Sequence, residues 1–138
     1  MAGEQLLLDT VFIQALLNRN DQYHAQASAF LPKVGKAATV WITEAVLTEV
    51  ANALSSFNRE GAVRFIQQCY TTRNVQVVSV DTDLLKRGLD LYGARTDKQW
   101  SLTDCISFVV MRENGISDAV TADRHFAQAG FRALLLEA

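Results

Sequence analysis

The sequence predicts an α/β fold of three layers, α/β/α, built on a parallel sheet of four or five strands. Three observations predict it. Short β-branched or leucine-rich runs alternate with longer segments whose apolar residues recur at helical spacing, the order that produces βα units. Two of the short runs, one from Leu6 and one from Asp118, lead into an aspartate. The chain has 138 residues, 49% hydrophobic and 20% charged, the size and balance of one core. A single domain over residues 1–138 is expected, since Pro32 is the one proline and the seven glycines are scattered, leaving no linker.

Leu6-Leu7-Leu8, followed by Asp9 and Thr10, predicts a short buried strand. Val11, Phe12, Ala15 and Leu16 then recur as a helix stripe. A second helix is expected from Asp21 to Val34, closed around Gly35, and a second strand from Ala38 to Ile42. Thr43 is a good N-cap for the third helix. That helix carries Val46, Val50, Ala53, Leu54 and Phe57 on one face, and Asn58 caps a fourth running through Val63, Phe65, Ile66 and Cys69. Val75 to Val80 is dense in β-branched residues and predicts a third strand. Asp81 starts a helix containing Leu84, Leu85, Leu89, Leu91 and Tyr92, with a polar loop from Gly93 to Gln99 after it. Ser101 opens a helix in which Cys105, Ile106, Phe108, Val109, Val110 and Met111 point in almost every direction, the pattern of a buried helix. Asp118 to Asp123 and Arg132 to Leu136 are expected as the last strands.

Composition narrows the functional classes. No apolar run approaches the roughly 20 residues that cross a bilayer, and the N-terminal segment lacks the basic start and longer apolar stretch of a secretory signal. A cytoplasmic protein without membrane contact is the expectation. Cys69 and Cys105 lack metal-finger spacing and sit in apolar helical patterns, which predicts buried free thiols. A formal charge of −2 counts against coating nucleic acid by bulk electrostatics. It leaves a nuclease open, because carboxylates that hold a cation count as negative in the sequence.

The acids at strand ends carry the chemical reading. Ligands of open parallel sheets bind beyond the C-terminal strand ends, which makes Asp9 and Asp123 candidates for one site. Each also has a plainer reading as the cap of the helix after it. Glu49 lies beside the apolar stripe of the third helix, whereas Glu44 falls on the far side. Asp104 stands three residues after Ser101, so Ser-Leu-Thr-Asp reads either as a capping box or as the start of a helix carrying a ligand. Neither His24 nor His125 lies near Asp104 in sequence, and His125 reads as packing or capping after the fourth strand. Together, Asp9, Glu49, Asp104 and Asp123 suggest a site of oxygen ligands alone, suited to Mg²⁺ or Mn²⁺ and a substrate phosphate.

At these residues the chain resembles a known family. Strand-Asp9-Thr10, the Glu49 helix Thr-Glu-Ala-Val-Leu-Thr-Glu-Val-Ala-Asn, Ser-Leu-Thr-Asp104-Cys, and Thr121-Ala-Asp123-Arg-His-Phe look like the acidic motifs of PIN domains. Their order and spacing match the VapC-type toxins of toxin–antitoxin pairs across essentially the whole chain. The resemblance implies a PIN-like parallel sheet, Mg²⁺- or Mn²⁺-dependent cleavage of RNA, frequent homodimers and a small antitoxin protein that occludes the site. It assigns the metal-site roles to Asp9, Glu49, Asp104 and Asp123. Thr10 and Thr121, beside these acids, are expected to hydrogen-bond them. Arg95 and Lys98 in the loop before Asp104, and Arg124 after Asp123, are the candidates for holding RNA.

Other chemistries fit less well. A metal-free pair of His24 and His125 has nothing in sequence to bring it together. The chain has no Gly-x-Ser-x-Gly elbow and no glycine-rich phosphate loop. A reading of a different class remains: a PIN-like module that binds a partner protein with little or no nuclease activity.

Overall fold

Strand and helix alternate as expected in the computed structural model, which describes residues 3–137. Met1, Ala2 and Ala138, included in the single-domain expectation, lie outside the described residues. Strand β1 (Gln5–Leu8) leads into helix α1 (Thr10–Leu17), then α2 (His24–Lys36), β2 (Thr39–Thr43), α3 (Glu44–Leu54) and α4 (Arg59–Thr71). Next come β3 (Val75–Val78), α5 (Thr82–Ala94), α6 (Leu102–Glu113), β4 (Asp118–Val120), α7 (Arg124–Gln128) and β5 (Arg132–Ala133). All strand pairs are parallel, in the order β3-β2-β1-β4-β5.

That order explains where a site can form. From β1 the chain winds one way to β2 and β3, and later the other way to β4 and β5. The switch between the two directions opens a crevice past the C-terminal ends of β1 and β4. Leu8 is in register with Val120 there, so the next residues, Asp9 and Thr121, leave the sheet side by side.

Alternation along the strands builds the two outer layers. Leu6, Leu8, Val40, Ile42 and Val120 face a core filled by α1 to α4, with Phe12, Ile13, Val46, Val50 and Leu54. Leu7 and Ala119 face the opposite side, against Phe108 and Met111 of α6 and Phe126 of α7. Leu84 of α5 packs on Ile106 and Val110 of α6. On this second face Trp100 and Phe126 each meet the Phe108 ring edge-on, at centroid distances of 5.0 and 4.9 Å. The Trp100 indole N–H also donates to Gln128 at 3.0 Å, so the start of α6 is fastened to the C-terminal end of the short helix α7. Cys69 and Cys105 are buried free thiols, as expected.

Several boundaries differ from the sequence expectation, each for a local reason. Asp21 does not begin α2: its carboxylate takes the Tyr23 N–H at 2.8 Å and makes a turn that delays the helix to His24. At the other end α2 runs through Gly35, and the Asn74 amide satisfies the carbonyls of Val34 and Ala37. Phe57, expected on the α3 stripe, lies beyond the helix and is 58% exposed. Strand β3 stops at Val78 because its partner β2 ends at Thr43, which caps α3 by accepting the Val46 N–H. The last strand is only Arg132–Ala133, paired with Asp118 and Ala119, and a 3₁₀ turn over Leu134–Leu136 follows, where the Leu135 N–H goes to the Thr121 carbonyl. The short helix α7 is the one that the capping reading of Asp123 implied, although its five residues carry no apolar stripe of their own.

Candidate active site

Asp9, Asp104 and Asp123 arrive at the same crevice from three different elements. Asp9 occupies the N-cap position of α1, yet its side chain makes no capping bond, which removes the plainer reading for this residue. It is 2% exposed and takes the Thr121 hydroxyl at 2.7 Å. Thr121 in turn accepts the Asp123 N–H at 3.0 Å, which ties the end of β4 to both acids.

Asp123 does cap its helix, accepting the His125 N–H at 2.9 Å. Asp104 completes a capping box: its Oδ2 accepts the Ser101 N–H at 3.1 Å, and its own N–H goes to the Ser101 hydroxyl at 3.0 Å. Capping and site-building therefore coincide at Asp104 and Asp123. Both acids stand at helix N-termini, where unpaired N–H groups and the helix dipole favour negative charge. That support lets carboxylates gather in a crevice that burial alone would keep uncharged.

His125 is the member that sequence reasoning missed. Far from merely packing or capping, its ring Nδ1 lies 3.0 Å from Asp104 Oδ2 and 3.4 Å from Asp123 Oδ1. One ligand atom from each of Asp104, Asp123 and His125 falls within 4.8 Å of the others, close enough to share a cation. The signal was present in part, since His125 comes two residues after Asp123. Only its approach to Asp104, 21 positions away, needed the fold.

Burial sets the electrostatics. Loss of hydration raises the Asp9 pKa from 3.8 to about 7; the Thr121 hydroxyl opposes the rise, while the negative charges of Asp104 and Asp123 add to it. Burial is also the main cause raising Asp104, against the Ser101 N–H and His125, with Asp123 pushing the same way as burial. Three acids whose charges repel, two of them held above the ordinary carboxylate range, form a site that a cation would stabilise.

The other expected residues take varied places. Glu49 is half-buried on α3, which packs against both α1 and α6, the helices that begin beside Asp9 and carry Asp104. Among the described residues it makes no hydrogen bond or ion pair with the other three acids. Glu44 has a structural task instead: it accepts the Tyr70 hydroxyl at 2.6 Å and the Val80 N–H at 3.3 Å. Thr121 binds an acid as expected. The Thr10 hydroxyl is buried without a hydrogen-bond partner, and this residue reaches Asp9 through its backbone N–H. Arg95 is paired with Asp97 at 3.0 Å and lies 4.9 Å from the Trp100 ring centre. Lys98 is half-buried, whereas Arg124 is exposed beside Asp123.

Known proteins share the sequence pattern and the fold. The PIN domain model matches residues 6–132. The 23S rRNA-specific endonuclease VapC20 of Mycobacterium tuberculosis is 29% identical over 126 residues, covering 91% of this chain and 95% of that protein. Its crystal structure, described as that of a sarcin–ricin loop cleaving toxin, aligns with a TM-score of 0.83 at 28% identity, over 93% of this chain and 97% of that one. VapBC2 from Rickettsia felis, bound to a promoter DNA fragment, aligns with a TM-score of 0.64 at 14% identity, over 91% and 92% of the two chains. At that identity the likeness is one of fold.

Proposed function

The chain belongs to the PIN domain family, and from that premise we propose that it is a metal-dependent endoribonuclease, the toxin of a toxin–antitoxin pair. The observation that carries the proposal is the meeting of Asp9, Asp104 and Asp123 at the switch point of the sheet, each with an oxygen fixed by a protein donor. Glu49 is the fourth acid of the proposed site. The donors are hard oxygens with repelling charges, a set that fits Mg²⁺ or Mn²⁺. When bound, such an ion supplies an activated water and neutralises charge on the leaving oxygen of a phosphodiester.

The chain's own residues then have separate tasks. Thr121 orients Asp9, and Ser101 orients Asp104 through its backbone N–H. Arg124, exposed beside Asp123, is proposed to contact an RNA phosphate; Lys98 and Arg95 are weaker candidates, Arg95 because its charge is already engaged by Asp97. Ribosomal RNA is the substrate class to try first, because the relative covering 91% of the chain is a 23S rRNA-specific endonuclease. A cognate antitoxin, a homodimer and a cytoplasmic location complete the proposal; among the described residues no helix is long and apolar enough to cross a membrane.

The test is cleavage of isolated ribosomes and of total RNA by the full chain with Mn²⁺, with EDTA, and by Asp9→Ala. Cleavage should require the metal and vanish in the variant. Equal cleavage in EDTA refutes the metal mechanism. No cleavage of any RNA at saturating metal favours the reading as a protein-binding module.

A further inference from the structure

The proposed metal site contains a side chain whose place suggests a job other than ligation. Asp104 and Asp123 belong to the N-termini of different helices, and among the described residues His125 is the side chain that touches both, at 3.0 and 3.4 Å. Its place is built rather than incidental. Asp123 captures the His125 backbone N–H at 2.9 Å, which sets the first turn of α7. The Trp100–Gln128 bond and the Trp100, Phe108 and Phe126 rings hold α7 against α6 and the segment just before it.

The contact sets the ring's role once Asp104 is ionised, the form that holds a cation. An ionised carboxylate oxygen can only accept, so the Nδ1 facing Asp104 Oδ2 then carries the proton and donates. Oδ2 of Asp104 then has two donors, His125 and the Ser101 N–H, while Oδ1 has no hydrogen-bond partner among the described residues. Asp123 obeys the same rule: Oδ1 is engaged by His125 and Oδ2 has no such partner. Each acid thus keeps one oxygen for the protein and presents the other. A cation on Nδ1 would have to displace this proton and break the bond to Asp104.

We propose that His125 is a positioning residue of the metal site: by holding Asp104 Oδ2 and bridging to Asp123 it turns the free oxygens of both acids toward one cation, without ligating the cation itself. This rests on the metal-dependent reading above. It predicts that affinity for any divalent cation depends on the donor at Nδ1, and that the amide of asparagine, which offers an N–H near the same point, can replace it.

The experiment is calorimetric titration of Mg²⁺ and, separately, Ni²⁺ into the full-length wild type, His125→Ala and His125→Asn, with melting of each apo variant to verify folding. His125→Ala should weaken both metals by a similar factor, on the order of 10-fold, with His125→Asn within about threefold of wild type. At saturating Mg²⁺ the kcat of His125→Ala on RNA should recover, with KM for RNA unchanged. A loss confined to Ni²⁺, which favours nitrogen ligands, overturns the proposal and makes His125 a ligand. Unchanged affinity for both metals in His125→Ala overturns it outright while leaving the metal reading intact. Failure of the wild type to bind either metal overturns both.

Discussion

Asp9→Asn should make the metal-free protein less sensitive to rising pH, and the structure sets the size of the effect. Asp9 is 2% exposed, and its pKa rises from 3.8 to about 7, chiefly because burial strips its hydration. Over the interval between those values the folded protein keeps a proton that the unfolded chain has released. The stability contributed by this group is therefore full below the unfolded value of 3.8, falls as pH rises, and levels off above about 7. At about 1.4 kcal/mol for each pKa unit, ionising Asp9 in the folded state costs about 4 kcal/mol. Asparagine has nearly the same shape, carries no charge, and can still accept the Thr121 hydroxyl that now bonds Asp9 at 2.7 Å. Urea unfolding of both proteins in EDTA should give curves that separate between about pH 4 and pH 7, with Asp9→Asn gaining on the order of 2–4 kcal/mol over wild type across that interval. The same proton must leave when a cation binds, so wild-type affinity for Mn²⁺ should climb about tenfold per pH unit below about 7 and flatten above it. Parallel stability curves across the whole interval would refute the reasoning, because they would mean that Asp9 ionises as easily folded as unfolded.

Three further outcomes are expected. Ser101→Ala breaks the capping box of α6 and should cost about 1 kcal/mol in urea unfolding, whereas Asp104→Ala also removes a charge that burial disfavours and should cost less, yet only Asp104→Ala should abolish RNA cleavage. Arg124→Ala should lower the slope of log affinity against log salt by about 0.7 on a short single-stranded RNA, and Arg95→Ala by less, since Asp97 already holds Arg95; filter binding with the inactive Asp104→Ala background measures both. Gly88→Ala would bring a methyl group to 2.6 Å from Ile106 Cγ1 where α5 crosses α6, and should lower stability by about 1–3 kcal/mol in thermal melting.

The layered fold and the three aspartates that the fold brings together were legible because each leaves a local mark. Leu6-Leu7-Leu8 reads as buried on both faces, and the structure places Leu6 and Leu8 in one core and Leu7 in the other. Ser101, Thr43 and Asn58 announced their helices by capping, and all three side chains accept the expected N–H. What sequence could not supply was distance between elements. His125 looked like a residue after a strand because α7 has only five residues, too few for a periodic stripe. Its contact with Asp104 depends on α6 and α7 meeting at the Trp100–Gln128 bond, a pairing that no local pattern encodes. The short fifth strand failed for a related reason. Arg132 to Leu136 is apolar enough to be a strand, but the Leu135 N–H goes to the Thr121 carbonyl, beyond the end of β4.

One turn of chain after β4 therefore answers three demands at once, and this explains why the acids can coexist. Thr121 leaves the sheet, binds Asp9 through its hydroxyl, takes the Asp123 N–H on the same oxygen, and gives its carbonyl to Leu135. Two residues on, Asp123 caps α7 and swings His125 onto Asp104. Nothing in this chain of bonds supplies a full positive charge to Asp9, whose neighbours Asp104 and Asp123 are both acids that raise its pKa. Backbone N–H groups and hydroxyls hold the geometry, while the unfavourable charge is one that a bound cation would relieve. On the proposed metal reading the site is pre-shaped without metal and would be stabilised with it, so the melting temperature should track free Mn²⁺ by mass action, by about 2.7 kcal/mol at a hundredfold excess over Kd. A melting temperature that ignores Mn²⁺ while RNA cleavage still requires it would mean the ion arrives with the substrate, not with the protein.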